Sequence, residues 1–240
     1  MVASSKLHHA QTAIQNMLPY ENTLEHILKS FLVSTPDADI PFDKPRQVKH
    51  VALLVFTSNS SLCGGFNNNV IKKMLDVIKE YKDKGLTDDD ILIYPIGRKV
   101  EEKVRKMHLH AAGSYLQLAD KPDSESCRQI AIEVGTKWMH GEVDKVEMIY
   151  HHFKSAGSQI LTRRTFLPID LEEQLYEDKA RDLSMNAVTA KAQKYKRLHG
   201  KSYSEADGAN VVPLNDDFIV EPDLPTVLRE LVPKELHLMV

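Results

Sequence analysis

From Ala3 to Phe31, apolar residues recur in alternating steps of four and three: Ala3, Leu7, Ala10, Ile14, Met17, then Leu24, Leu28 and Phe31. The stripe lapses only where Glu21 takes a seam position. This spacing lays a narrow apolar seam along one helix and predicts packing along a second. Pro19 lies inside the pattern and lacks a backbone donor, which predicts a kink or short break there. No Ser, Thr, Asp or Asn cap precedes the pattern, and the chain stops in the apolar run Leu236, Leu238, Met239 and Val240. Both ends predict a piece of a longer chain, its first helix begun earlier and its last one continuing.

Between 46 and 169 the period alternates. Val51-Ala52-Leu53-Leu54-Val55-Phe56 is a continuous apolar run, as a strand covered on both faces requires. A helix follows, capped by one of Asn67, Asn68 or Asn69, with Val70, Ile71, Met74, Leu75, Ile78 and Tyr81 as its inner stripe and Gly85 closing it. Ile91 to Tyr94 reads as a second strand, Lys99 to Met107 as a short helix, and Tyr115 to Leu118 as a weak third strand. Ser124 and Ser126 open a helix with Cys127, Ile130, Val134 and Trp138 on one side. Val146–Phe153 and Ile160–Leu167 are the fourth and fifth strands. The last alternates and carries Arg163 and Arg164, so it reads as an edge suited to antiparallel pairing. Strand–helix alternation predicts an α/β fold: a doubly wound, mostly parallel, Rossmann-like sheet domain behind a protruding N-terminal coiled-coil helix whose partner helix is absent.

Four segments result: 1–35 as the coiled-coil helix, 46–169 as the sheet domain, 170–217 as a polar, partly helical insertion, and 218–240 as a short strand and helix. In the insertion, Glu172, Glu173, Glu177 and Asp178 lead while Lys191, Lys194, Lys196, Arg197 and Lys201 trail, an order that suits a helix dipole. Phe218-Ile219-Val220 is strand-like, and Asp223 with Pro225 starts a helix over Thr226–Val232.

Composition narrows the function. With 31 Lys and Arg against 34 Asp and Glu, the charge is −3, which argues against nucleic-acid binding because counterion release needs a concentrated basic surface. No apolar run of membrane-spanning length is present, so direct membrane insertion is not expected. The two cysteines, Cys63 and Cys127, lack zinc-ligand spacing. Cys63-Gly64-Gly65-Phe66-Asn67 stands where a strand enters a helix, a place that suits phosphate. It is not G-x-G-x-x-G, and no acidic residue closes the next strand to hold a ribose. Its other reading is a tight turn that packs helix on sheet. Gly200-Lys201-Ser202 lacks the earlier glycine of a phosphate loop, Tyr195 standing in its place. His151 and His152 point to opposite faces of a strand and cannot chelate together. No catalytic residue, metal site or cofactor is expected. A nucleotide- or dinucleotide-binding enzyme on a doubly wound sheet is the alternative, and a regulatory domain that self-associates through the seam is a third reading.

Several segments together resemble the γ subunit family of F-type ATP synthases. Met1-Val2-Ala3-Ser4-Ser5-Lys6-Leu7 is similar to the family's first helix, and Pro19-Tyr20-Glu21 to its Pro-Tyr break. Thr57-Ser58 through Leu62-Cys63-Gly64-Gly65-Phe66-Asn67 matches its most specific signature, with Asn59-Ser60-Ser61 replacing the family's Asp-Arg-Gly. Gly97-Arg98-Lys99, Tyr150 with Phe153, Leu167-Pro168 and Glu221-Pro222-Asp223 follow in family order. The resemblance implies a non-catalytic rotor shaft in a proton-translocating complex, peripheral on the cytoplasmic face of a bacterial inner membrane. It implies α and β subunits of the catalytic head, an ε subunit and a c-ring as partners. The residues it places at subunit interfaces are Lys6, Leu7, Ser58, Leu62, Cys63, Gly64, Gly65 and Phe66.

Overall fold

The computed structural model describes Ser5, residues 7–14, 16, 17, 19, 20, 23 and 24, then 46–155 and 158–169, and finally Val227, Leu231 and Lys234. The chain divides into two compact units, Met1–Ile169 with Val220–Val240 and Asp170–Ile219. The second unit lies outside the described residues, as do the expected strand at Phe218–Val220 and the seam positions Ala3, Leu28 and Phe31.

Four strands form the sheet: β1 (Val51–Phe56), β2 (Ile91–Ile96), β3 (Lys145–Ser155) and β4 (Ser158–Leu167), in the spatial order β2-β1-β3-β4. β1 runs parallel to both neighbours, aligning Leu53 with Ile93 and Glu147, while β3 and β4 form an antiparallel hairpin. The expected antiparallel edge is therefore present. Helix α1 (Phe66–Asp83) carries the chain from β1 to β2. Helices α2 (Arg98–Lys106), α3 (Leu116–Asp120) and α4 (Ser124–Met139) return it past β1 to β3. The connection reverses direction between β1 and β3, which makes that gap the topological switch point.

Burial explains the run of apolar residues in β1. Val51 through Val55 are completely buried because both edges are hydrogen-bonded and both faces covered. On one face Val51, Leu53, Val55, Ile91, Ile93 and Ile149 meet Val70, Met74, Val77, Ile78 and Tyr81 of α1 and Val100 and Val104 of α2. Strand alternation turns Leu54 and Tyr94 to the other face. There the Tyr94 hydroxyl donates to Glu133 of α4 at 2.9 Å. Buried Val77 widens the α1 stripe, while Ile71 and Leu75 are only half-buried. Gly85 closes α1 as expected, at φ +99°, its N–H bonded to the Lys82 carbonyl at 2.9 Å.

Two local expectations are corrected. Residues 115–118 are not a strand: Leu116–Asp120 is helix α3. The free edge of β2 is already occupied upstream, where Ile93 N–H bonds the His110 carbonyl at 2.9 Å and Ala112 N–H bonds the Ile93 carbonyl at 2.8 Å. With that edge taken, the apolar pair serves another end, Leu118 being buried. Nor does Asn67, Asn68 or Asn69 cap α1. Gly65 holds the cap position without a side-chain bond, and Asn67 is turned inward.

In the leading segment all described residues from Ser5 to Leu24 are helical, Pro19 included, and the Thr23 hydroxyl donates to the Pro19 carbonyl at 2.7 Å. Its seam is uncovered at Leu7, Ile14 and Met17, which are 39%, 44% and 51% exposed, whereas Leu24 is buried.

An ion cluster centred on the buried Glu147 fastens the hairpin to α1. Glu147 of β3 accepts from Arg163 Nε at 2.9 Å and Nη2 at 3.2 Å and pairs with Lys145 at 2.9 Å, while Arg163 Nη1 reaches Glu80 of α1 at 2.6 Å. Burial pushes the Glu147 carboxyl up, but Arg163 and Lys145 outweigh burial and hold it below its ordinary value. Its stabilising contribution is thus complete above the unfolded-state value near 4.5 and is lost as pH falls through the lower folded value. Glu147→Gln leaves two cations short of a buried acceptor. It should lower stability at pH 7 by about 3 kcal/mol and flatten the acid limb of a denaturation series run from pH 7 to pH 3.

Candidate functional site

The connection from β1 to α1 emerges at the switch point, and three side chains hold it in one shape. The ladder continues one residue past β1, Thr57 N–H bonding the Ile96 carbonyl at 2.8 Å. The Thr57 hydroxyl accepts from Val100 N–H at 3.1 Å. Gly97 makes this approach possible, since a Cβ there would run into the Thr57 carbonyl oxygen and its φ is +99°.

Asn67 is the internal tie. It is buried, its Oδ1 accepts from Ser58 N–H at 2.9 Å, and its Nδ2 donates to the Ser60 carbonyl at 2.8 Å and the Cys63 sulfur at 3.0 Å. One amide therefore spans the loop, giving Ser58 N–H its acceptor and adding a donor to the Ser60 carbonyl. Asn59 is the outward tie, bonded to Arg98 N–H at 2.7 Å and the Leu116 carbonyl at 2.8 Å. His151 of β3 is the third. Its ring stacks on Phe66 at 4.3 Å, and Nε2 lies 3.0 Å from the Phe66 carbonyl. A carbonyl only accepts, so Nε2 carries the proton. Gly64, at φ +56°, makes the left-handed turn that starts the return into α1.

Of the residues expected at interfaces, Ser58, Leu62, Cys63, Gly64, Gly65 and Phe66 come together in this loop, with Ser58, Cys63 and Phe66 half-buried. Leu62 is 98% exposed at the tip. Leu7 stands on the leading helical segment, and Lys6 lies outside the described residues. From Thr57 to Ile71 no residue is charged. The loop thus presents an apolar tip on a neutral, hydrogen-bonded base. Sequence reasoning missed Asn59, Asn67 and His151 as its supports. The signal for the first two was an asparagine on each side of a glycine pair, and for His151 there was none.

A cleft of about 380 Å³ opens beside the loop, lined by Phe56, Thr57, Ser58, Phe66, Ala119, Met148, Tyr150 and His151. No Asp, Glu, Lys or Arg lines it; the Thr57 hydroxyl is bonded to Val100 N–H of α2 and the Ser58 hydroxyl within the loop, while Tyr150 and His151 add a hydroxyl and an imidazole to the wall. The lining therefore supplies no lysine or arginine to pair with a phosphate. Among the described residues no three His, Cys, Asp or Glu side chains gather as a metal site, and no helix is long and apolar enough to cross a membrane. The Cys127 thiol is pushed up by burial and then by Asp123, away from the reactive thiolate form.

A family model described as ATP synthase matches residues 1–240. The ATP synthase gamma chain of Phocaeicola vulgatus is 42% identical over 239 residues, covering 99% of this chain and 71% of that relative. The gamma chain of Bacteroides thetaiotaomicron is 40% identical over 236 residues, covering 98% and 71%. The chloroplastic ATP synthase gamma chain 1 of Arabidopsis thaliana is 32% identical over 203 residues, covering 84% and 52%. A chain in the central stalk and c-ring structure of the Tetrahymena thermophila mitochondrial ATP synthase aligns at TM-score 0.45 and 15% identity, covering 92% of this chain and 88% of that one.

Removing the internal tie tests this geometry. Asn67→Ala should loosen the loop locally by about 2 kcal/mol and so speed amide exchange at Ser58 well beyond any change at the amides of β1, which open only with the whole fold. Exchange at Ser58 as slow as in the parent would show that the loop does not depend on Asn67.

Proposed function

This chain belongs to the ATP synthase γ-chain family, and from that premise we propose that it is the non-catalytic rotor shaft that couples ion-driven rotation to conformational change in catalytic β subunits. One observation carries the reading: a fully exposed leucine stands on a loop fixed by Asn59, Asn67 and His151. A shaft shifts the states of its neighbours only by contacting those states differently. A preformed apolar tip does this well, because ordering the loop costs nothing further at contact and a socket that closes on Leu62 gains burial.

On this reading the loop from Ser58 to Phe66, with Lys6 and Leu7 of the leading helix, meets β subunits. Exposed surface of the sheet domain meets the ε subunit and the c-ring, and the assembly lies on the cytoplasmic face of a bacterial inner membrane. Segment 1–35 then belongs to the shaft, 46–169 to the globular domain that bears on the c-ring, 170–217 is an insertion, and 218–240 leads toward the shaft's second helix.

The test uses the complete γ chain assembled with its own α and β subunits. Leu62→Ala should weaken attachment of the shaft to the head about tenfold, the scale of one leucine side chain buried or left in water. Parent-like attachment would overturn the loop contact. Calorimetric titration of the isolated chain with ATP or NAD should give no binding heat, and micromolar affinity would favour an enzyme instead.

A further inference from the structure

We propose that Asn59 is the positioning residue for Leu62, its amide tying the outgoing arm of the loop to α2 and α3 in this chain; this rests on the reading that Leu62 contacts the catalytic head. Asn59 lies three residues beyond β1 and makes no bond back to its own loop among the contacts described. Instead it bridges two other elements, accepting from Arg98 N–H at 2.7 Å and donating to the Leu116 carbonyl at 2.8 Å. Arg98 is the first residue of α2 and Leu116 the first of α3. Gly97, which precedes α2, has no side chain with which to cap it, so Asn59 supplies from a distance the acceptor that a helix start lacks.

The orientation of the amide is not open to exchange. A backbone N–H only donates and a backbone carbonyl only accepts, so Oδ1 must face Arg98 and Nδ2 must face Leu116. An ionised carboxylate would keep the first bond and set a second oxygen against the Leu116 carbonyl. The ionisable groups at the start of α2 are Arg98, Lys99 and Glu101, with Tyr115 just before α3. The Glu101 carboxylate is engaged by the Ser114 hydroxyl at 2.8 Å.

The consequence for Leu62 follows from chain length. Asn59 holds the outgoing arm of the loop to α2 and α3, and Asn67 holds Ser60 and Cys63 to the start of α1. Leu62 lies between these ties, with its N–H bonded to the Ser60 hydroxyl at 3.2 Å. Releasing Asn59 frees the outgoing arm and lets Leu62 move off its line, while the core beneath stays packed.

A double-mutant cycle tests this in the complete γ chain assembled with α and β subunits. The variants are Asn59→Asp, Leu62→Ala and the pair, with Asn59→Ala as a second probe that removes both bonds without adding charge. Asn59→Asp should weaken attachment of the shaft about fivefold in the parent, the scale of one lost hydrogen bond. It should have no further effect once Leu62 is alanine, since both changes then act through the same contact. A merely structural role would instead give equal losses in both backgrounds, which overturns the proposal. Parent-like attachment for Asn59→Asp and Asn59→Ala beside a weakened Leu62→Ala also overturns it and leaves the loop contact standing. If Leu62→Ala itself is inert, the loop contact fails and the proposal falls with it.

Discussion

Everything functional in this domain is aimed by the burial of one strand. β1 is bonded to parallel neighbours along both edges and covered on both faces, so Val51 through Val55 expose no surface at all. A strand so enclosed has no freedom of register, because a slip of one residue would exchange the contents of its two faces. The point where the chain leaves the sheet is therefore set, and it is the gap where the connections to β2 and β3 diverge. In other doubly wound folds such a gap holds a ligand. Here it is the root of a loop.

What distinguishes this loop is how its polar groups are used. Enzyme turns at this position leave backbone donors free for an anion. In this chain many polar atoms near the cleft are bonded internally: Asn67 takes Ser58, Ser60 and Cys63, Thr57 takes Val100, and His151 Nε2 takes Phe66. The result is a stiff, uncharged projection tipped by Leu62. On the proposed rotor reading such stiffness would suit the loop, because one that yields on contact would absorb motion rather than pass it on.

The ion cluster of Glu147, Arg163, Lys145 and Glu80 serves the opposite edge. β4 has a strand on one side only within the sheet order, and Arg163 ties that outer hairpin to both β3 and α1. A carboxylate buried as deeply as Glu147 would be unfavourable alone; with two cations against it, it locks the hairpin's register on the sheet.

Much of this was legible in the residues themselves. Continuous burial of β1, the stripe of α1, the stop at Gly85 and the alternation of the last strand are local periodicities, and periodicity reports which faces meet apolar neighbours. The loop signature from Ser58 to Phe66 was equally plain, because glycines at a strand-to-helix turn restrict what that turn can be. Other features depended on partners distant along the chain. Residues 115–118 carry the pattern of a short strand, yet Ala111 had already taken the free edge of β2, and a strand without an edge becomes something else. Asn67 looked like a helix cap, but the pull of Ser58 and Ser60 turned it inward. Asn59 is bonded to residues 39 and 57 positions away, and His151 to one 85 away. A side chain's hydrogen-bond partners are chosen by which backbone groups the folded sheet brings near it. Local sequence determined which segments were buried, and only the assembled tertiary structure decided which polar atoms met.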